Sequence, residues 1–156
     1  MNLALIHQGK TIDKSLLNLE DTYIARLSHY INVETIYLPE QKVSNPADKD
    51  SLRNMEGLQL LKKVGKGDLL FLFDERGKQQ TSEEFAQYFQ KQLNSGAKKL
   101  ILATGGAFGF SKEVYDKANG LLAISKMTFT HQMVRPIIAE QIYRAFTILK
   151  NEKYHH

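Results

Sequence analysis

The chain has 156 residues, of which 42% are hydrophobic and 24% charged, with 8 Phe and 7 Tyr; that supplies one core and a wet surface and excludes a disordered polyelectrolyte. It has no Cys, which excludes disulfides, thiolate nucleophiles and Cys-bound zinc or iron–sulfur clusters. The net charge is +4, and from Ser111 onward seven basic residues face four acidic ones, so most of the excess lies in the last third and suits an anionic partner. No run of about 18 apolar residues occurs and the opening lacks a basic segment followed by a long apolar one, so neither a membrane span nor a secretory signal is expected, and the cytoplasm is the default compartment.

In chain order, residues 2–7 read as a short apolar strand, and Asp13 caps a helix whose apolar positions Leu16, Leu19, Tyr23, Leu27 and Tyr30 recur every three to four residues. Residues 33–38 are β-branched and aromatic and stop at Pro39, a second strand. Residues 40–49 are polar and aperiodic and read as a loop, followed by a helix over residues 50–63. Residues 68–73 (DLLFLF) form a continuous apolar run, the pattern of a parallel strand covered on both faces. Residues 74–78 are expected to turn the chain. Thr81 and Glu84 make a capping box for a helix carrying Phe85, Tyr88, Phe89 and Leu93 and ending at Gly96. Residues 99–104 (KLILAT) are the next buried strand and run into Gly105-Gly106-Ala107-Phe108-Gly109-Phe110. Ser111 caps a short helix, residues 121–124 are a brief last strand, and a final helix is expected from His131 to about Lys150. Alternating elements of these lengths predict a single α/β domain over residues 1–156, a mostly parallel sheet with helices on both faces.

Glycines let the backbone turn sharply and let a ligand approach the main chain. The loop after Thr104 lacks the Walker pattern, and with 51 residues remaining it comes too late for a dinucleotide fingerprint. On spacing alone a tight structural turn explains it equally well. Open sheets bind ligands beyond the carboxyl ends of their strands. Phe73, Thr104-Gly105 and Ile124-Ser125 are three such ends, so one crevice lined by three loops is expected, mostly backbone and apolar, suited to a flat heteroaromatic such as adenine. His7 and His29 have no second ligand at metal spacing, and no metal is expected.

Taken together, Gly105-Gly106-x-x-Gly109, Ile124-Ser125-Lys126-Met127-Thr128-Phe129, His131-Gln132-Met133-Val134-Arg135, Glu140-Gln141-x-Tyr143-Arg144-Ala145 and Tyr154-His155 resemble the ribosomal RNA large-subunit methyltransferase H family, a minimal branch of the SPOUT superfamily. The resemblance covers essentially the whole chain. It implies a C-terminal trefoil knot, a homodimer with active sites at the subunit interface, and methyl transfer from S-adenosylmethionine to N3 of a pseudouridine in 23S rRNA within the ribosome. Carried over by motif, it implies cofactor contacts at Phe73, Gly105, Ile124, Ser125, Lys126, Met127, Thr128 and Phe129. Arg135, Arg144, Tyr154 and His155 are the candidates for RNA contact, and Arg135, His155 and His131 for catalysis. Two positions depart from the family pattern: Thr130 replaces the usual Pro, and Pro136 follows Arg135 in place of an aliphatic residue. A non-catalytic RNA- or ribosome-binding domain of the same fold is the alternative, and a monomeric flavodoxin-like nucleotide binder a third reading.

Overall fold

The apolar runs of the chain become five strands of one sheet. In the computed structural model, β1 (Asn2–Gln8), β2 (Val33–Leu38), β3 (Leu69–Gln79), β4 (Lys99–Thr104) and β5 (Gly120–Ala123) pair in the order β2-β1-β4-β3-β5, every pair parallel. The structure describes residues 1–45 and 47–155, the last of these by its backbone alone. The helices are α1 (Lys14–Leu27), α2 (Lys49–Leu61), α3 (Ser82–Leu93), α4 (Lys112–Lys117) and α5 (Val134–Leu149), followed by one 3-10 turn, Lys153–His155.

Alternation along each strand splits the core in two. Leu3, Leu5, Leu100, Leu102 and Phe71 face Leu27 of α1, Phe85 and Phe89 of α3, and Ile138, Ile142 and Phe146 of α5. Ala4, Ile6, Ile101, Ala103, Leu70 and Leu72 face Leu60 of α2 and Val114 of α4. Steps toward the β2 edge therefore use α1 and α3 on one face, and steps toward the β5 edge use α2 and α4 on the other. All four crossovers share one hand, as parallel β-α-β units require. The expected layers and strands are thus present, and the Thr81–Glu84 capping box forms with both of its hydrogen bonds.

Three expectations are corrected. β3 does not end at Phe73 but continues to Gln79, with a register break: Phe73 and Lys78 both pair with Leu122 of β5, so the intervening charged residues bulge out at the strand end. Gly77 makes this possible, since a Cβ there would lie 2.5 Å from the backbone of Leu122. The final helix begins at Val134, three residues later than expected, because Thr130 holds a preceding turn through its carbonyl to Val134 N and its hydroxyl to Met133 N. Pro136 then falls in the first helical turn, where an N–H has no intrahelical partner to lose. On α1, Leu19 is exposed and Glu20 is fully buried. Charged side chains are rarely interior, so the periodicity favoured the leucine; the partners that admit Glu20 lie on distant strands.

Candidate functional site: a cleft at the strand ends

The carboxyl ends of β3, β4 and β5 open into one cleft of about 880 Å³. Its walls include Phe73, the whole glycine loop from Gly105 to Phe110, and Ile124, Ser125, Met127, Thr128, Phe129 and His131 of the connection into α5. The loop is a tight turn in which Gly109 N donates to the Gly106 carbonyl at 3.1 Å, with Gly109 at φ 77°. Gly105 is glycine for proximity, since a Cβ there would meet the Gly109 backbone at 3.1 Å. Lys126, in the connection from β5 into α5, is exposed and does not line the cleft.

The cleft is more charged than the sequence suggested, because the β3 bulge brings Asp74, Glu75 and Arg76 into its wall beside Arg53 and Tyr115. Arg76 donates to both Asp74 oxygens, Nε at 2.9 Å and Nη2 at 3.1 Å, and its guanidinium stacks 4.6 Å from the Tyr115 ring centroid. The Tyr115 hydroxyl also donates to Asp74. Burial opposes ionisation of Asp74, but the hydrogen bonds from Arg76 and Tyr115 outweigh it and hold the carboxyl at about 2. Burial and the Asp74 bond push Tyr115 up to about 12. The cleft wall thus carries an ion pair, Asp74 with Arg76. Sequence reasoning missed these three residues; the available signal was a carboxylate immediately after an apolar strand.

Glu56, on α2, packs under the loop so closely that a Cβ on Gly106 would approach its carboxylate to 2.6 Å. Burial, and then the charge of Glu40, raise its pKa to about 7 from an ordinary 4.5. The folded state therefore holds a proton that the unfolded chain releases earlier, so ionised Glu56 costs stability above that window and nothing below it. Glu56→Gln is expected to stabilise the protein by about 1 kcal/mol at pH 8, allowing for solvent screening, and by nothing at pH 4. Urea unfolding at the two pH values checks this; equal stability at pH 8 refutes it.

The expected RNA-facing residues divide. Arg135 is fully buried, donating to Thr11 Oγ1 at 2.8 Å and the Gln8 carbonyl at 2.6 Å. Its guanidinium ties α5 to the end of β1 and is closed to any substrate in this arrangement, contrary to the role expected for it in RNA contact and catalysis. His131 does line the cleft, and burial followed by the charge of Arg135 lowers its pKa, favouring a neutral imidazole. Arg144 and Tyr154 lie away from the cleft. Arg144 donates to Glu140 Oε1 at 2.6 and 2.9 Å and lies 5.0 Å over the Tyr154 ring, whose hydroxyl bonds Glu140 at 3.3 Å. Tyr143 packs edge-on against Tyr154 at 4.7 Å. Glu140 thus pairs with Arg144 one turn on rather than with Arg135, as helical spacing favours. The side chain of His155 lies outside the described residues.

A family model described as "Predicted SPOUT methyltransferase" matches residues 1–155. The chain belongs to the SPOUT methyltransferase family. Its members generally use S-adenosylmethionine and are known for a knotted C-terminal region. Similar curated proteins bear the name ribosomal RNA large subunit methyltransferase H. Those of Christiangramia forsetii and Flavobacterium johnsoniae are 47% and 46% identical over 156 residues, all of this chain and 99% of each relative. That of Cytophaga hutchinsonii is 47% identical over the full length of both. Among the described residues no helix is long and apolar enough to cross a membrane, and no group of three or more His, Asp and Glu could hold a metal ion.

Proposed function

We propose that this SPOUT chain methylates N3 of a pseudouridine in 23S rRNA on the assembled ribosome, acting in the cytoplasm as a knotted homodimer with S-adenosylmethionine as donor. The observation that carries the reading is the convergence of three strand ends and a bare glycine loop in one cleft, in a chain with full-length relatives named for rRNA methylation.

The cleft fits such a donor. Its volume lies in the range of about 300–1,000 Å³ usual for small-molecule sites. Gly105 and Gly106 let the loop close tightly against Gly109 and Glu56 while lining the cleft with main chain, and Phe73, Phe110 and Ile124 offer apolar walls to a purine. When bound, S-adenosylmethionine supplies an activated methyl carbon on a sulfonium. The protein's share is then to align the attacking nitrogen, exclude water and remove the imide proton. Neutral His131 at the cleft is the candidate acceptor for that proton. Arg53 at the cleft wall, whose partner Asp50 is largely exposed, suits an RNA phosphate.

Two features support the dimer. Arg144, Glu140 and Tyr154 form an organised cation, acid and ring, yet none lines the cleft of its own chain, so a second copy is what would bring them to it. Ile12, Met127, Phe129 and Met133 are exposed apolar side chains, with Ile12 joined to the turn before α5 by its N–H to Gln132 Oε1 at 2.8 Å, an apolar surface that a partner would cover.

Incubation with labelled donor and either 70S particles or free 23S rRNA, with and without pseudouridine, tests the reading. Labelling confined to pseudouridine-containing particles is expected. Equal labelling of uridine-containing RNA refutes the specificity, and donor binding without transfer to any ribosomal RNA supports the non-catalytic alternative.

A further inference from the structure

We propose, on the reading of the cleft as a donor site, that His7 is a positioning residue that makes the Thr104 hydroxyl a fixed hydrogen-bond acceptor in the cleft wall. His7, Tyr37 and Thr104 stand abreast on β1, β2 and β4, and Phe73 of β3 stands beside Thr104. One rung of the sheet therefore runs from a buried polar pair to the cleft, which both Thr104 and Phe73 line. The rung before it on the same face is mostly apolar, with Leu5, Leu102 and Phe71 in register. The rung of Thr104 instead encloses polar groups: His7 and the Glu20 that reaches it from α1 are fully buried and Thr104 is 5% exposed.

Buried polar groups are costly unless paired, and here the pairing dictates a direction. His7 Nε2 lies 2.8 Å from Glu20 Oε1, the Tyr37 hydroxyl donates to Glu20 Oε2 at 3.0 Å, and His7 Nδ1 lies 2.7 Å from Thr104 Oγ1. An ionised carboxylate only accepts, so the proton of the neutral imidazole is assigned to Nε2. Nδ1 is then an acceptor, and the only proton between it and Thr104 is the hydroxyl's. With that proton committed, Thr104 presents lone pairs alone to the cleft. An unrestrained threonine would rotate to donate or accept; this one accepts, and so selects N–H or O–H groups of a ligand, such as an amine, an ammonium or a ribose hydroxyl.

The charged and titratable groups facing His7 are Glu20 from α1, Tyr37 from β2 and Arg135 from α5, whose guanidinium lies 5.8 Å from the Tyr37 ring centroid. Burial lowers the His7 pKa against the pull of Glu20, with Arg135 adding to the lowering, which keeps the acceptor nitrogen free near neutrality. Stability alone does not require a buried polar pair here, because well-packed apolar residues in place of buried charged groups are often neutral or stabilising.

Calorimetric titration of the whole protein with S-adenosylmethionine tests the assignment. Thr104→Val, which keeps the shape and removes the oxygen, is expected to weaken donor binding about 3- to 10-fold, the range of one hydrogen bond. Thr104→Ser is expected to restore it. His7→Leu, which keeps the Thr104 oxygen but frees it to rotate, should cost less than Thr104→Val, and the double variant His7→Leu/Thr104→Val no more than Thr104→Val alone, since His7 acts only through that oxygen. Nitrogen NMR of the wild-type imidazole at pH 7 is expected to show Nε2 protonated and Nδ1 bare, a readout independent of whether any variant folds. Wild-type affinity in Thr104→Val, additive losses in the double variant, or a proton on Nδ1 each overturn the proposal. No saturable heat with the wild-type protein refutes the donor reading instead, and the imidazole spectrum then still decides the direction of the His7–Thr104 bond.

Discussion

Gly105→Arg is expected to abolish saturable S-adenosylmethionine binding, and with it all methyl transfer. Position 105 joins the end of β4 to the glycine turn, and even a Cβ there would press on Gly109 Cα at 3.1 Å and its carbonyl carbon at 3.2 Å. A methyl group could be met by a shift of a few tenths of an ångström. The rest of an arginine has two ways out, into the cleft that Gly105 lines or through the turn closed by Gly109 N and the Gly106 carbonyl. The first fills the donor's place; the second breaks the loop that would hold it. The core strands lie beneath the loop, so thermal unfolding should stay cooperative with a midpoint lowered by a few degrees. Calorimetry and a thermal melt together check this: a folded Gly105→Arg protein that still binds donor with wild-type affinity would remove the glycine loop from the site.

The second large effect is expected outside the cleft of the same chain, on α5. Arg144→Ala should keep its fold and its donor affinity while losing methyl transfer by about 100- to 1,000-fold, the size typical of removing one positioned group that stabilises developing charge. Arg144 is partly exposed and fixed by two hydrogen bonds to Glu140, with the Tyr154 ring beneath it. A cation held this rigidly lowers the cost of a nucleotide anion or fixes a phosphate. The discriminating pattern is a fall in kcat with unchanged donor Kd, because Arg144 does not line the cleft of its own chain. Mixing Arg144→Ala subunits with Gly105→Arg subunits refines the test. If each active site combines the cleft of one chain with Arg144 of the other, the mixed dimer regains one intact site, whereas two dead parents and a dead mixture would place both residues in the same chain's site or deny the dimer.

Most of the architecture was legible along the chain, since the apolar runs, caps and glycine breaks are local signals. Residues 68–73 and 99–104 announce covered parallel strands by composition, Thr81 with Glu84 announces a helix start, and the position of the glycine loop after a strand points to the ligand end of the sheet. What the chain alone left open depends on side chains distant in sequence. Glu20 is interior because His7 and Tyr37 receive it, and Arg135 is interior because Thr11 and the Gln8 carbonyl do. Asp74, Arg76 and Tyr115 become one cluster only once β3 bulges past β5 and α4 comes alongside. Hydrophobic periodicity records which residues leave water, and so it determined the layers. It carries no record of which polar groups pair across the fold, and those pairings, settled by three-dimensional proximity, decided where the charges of the cleft lie and which cations are closed to a substrate.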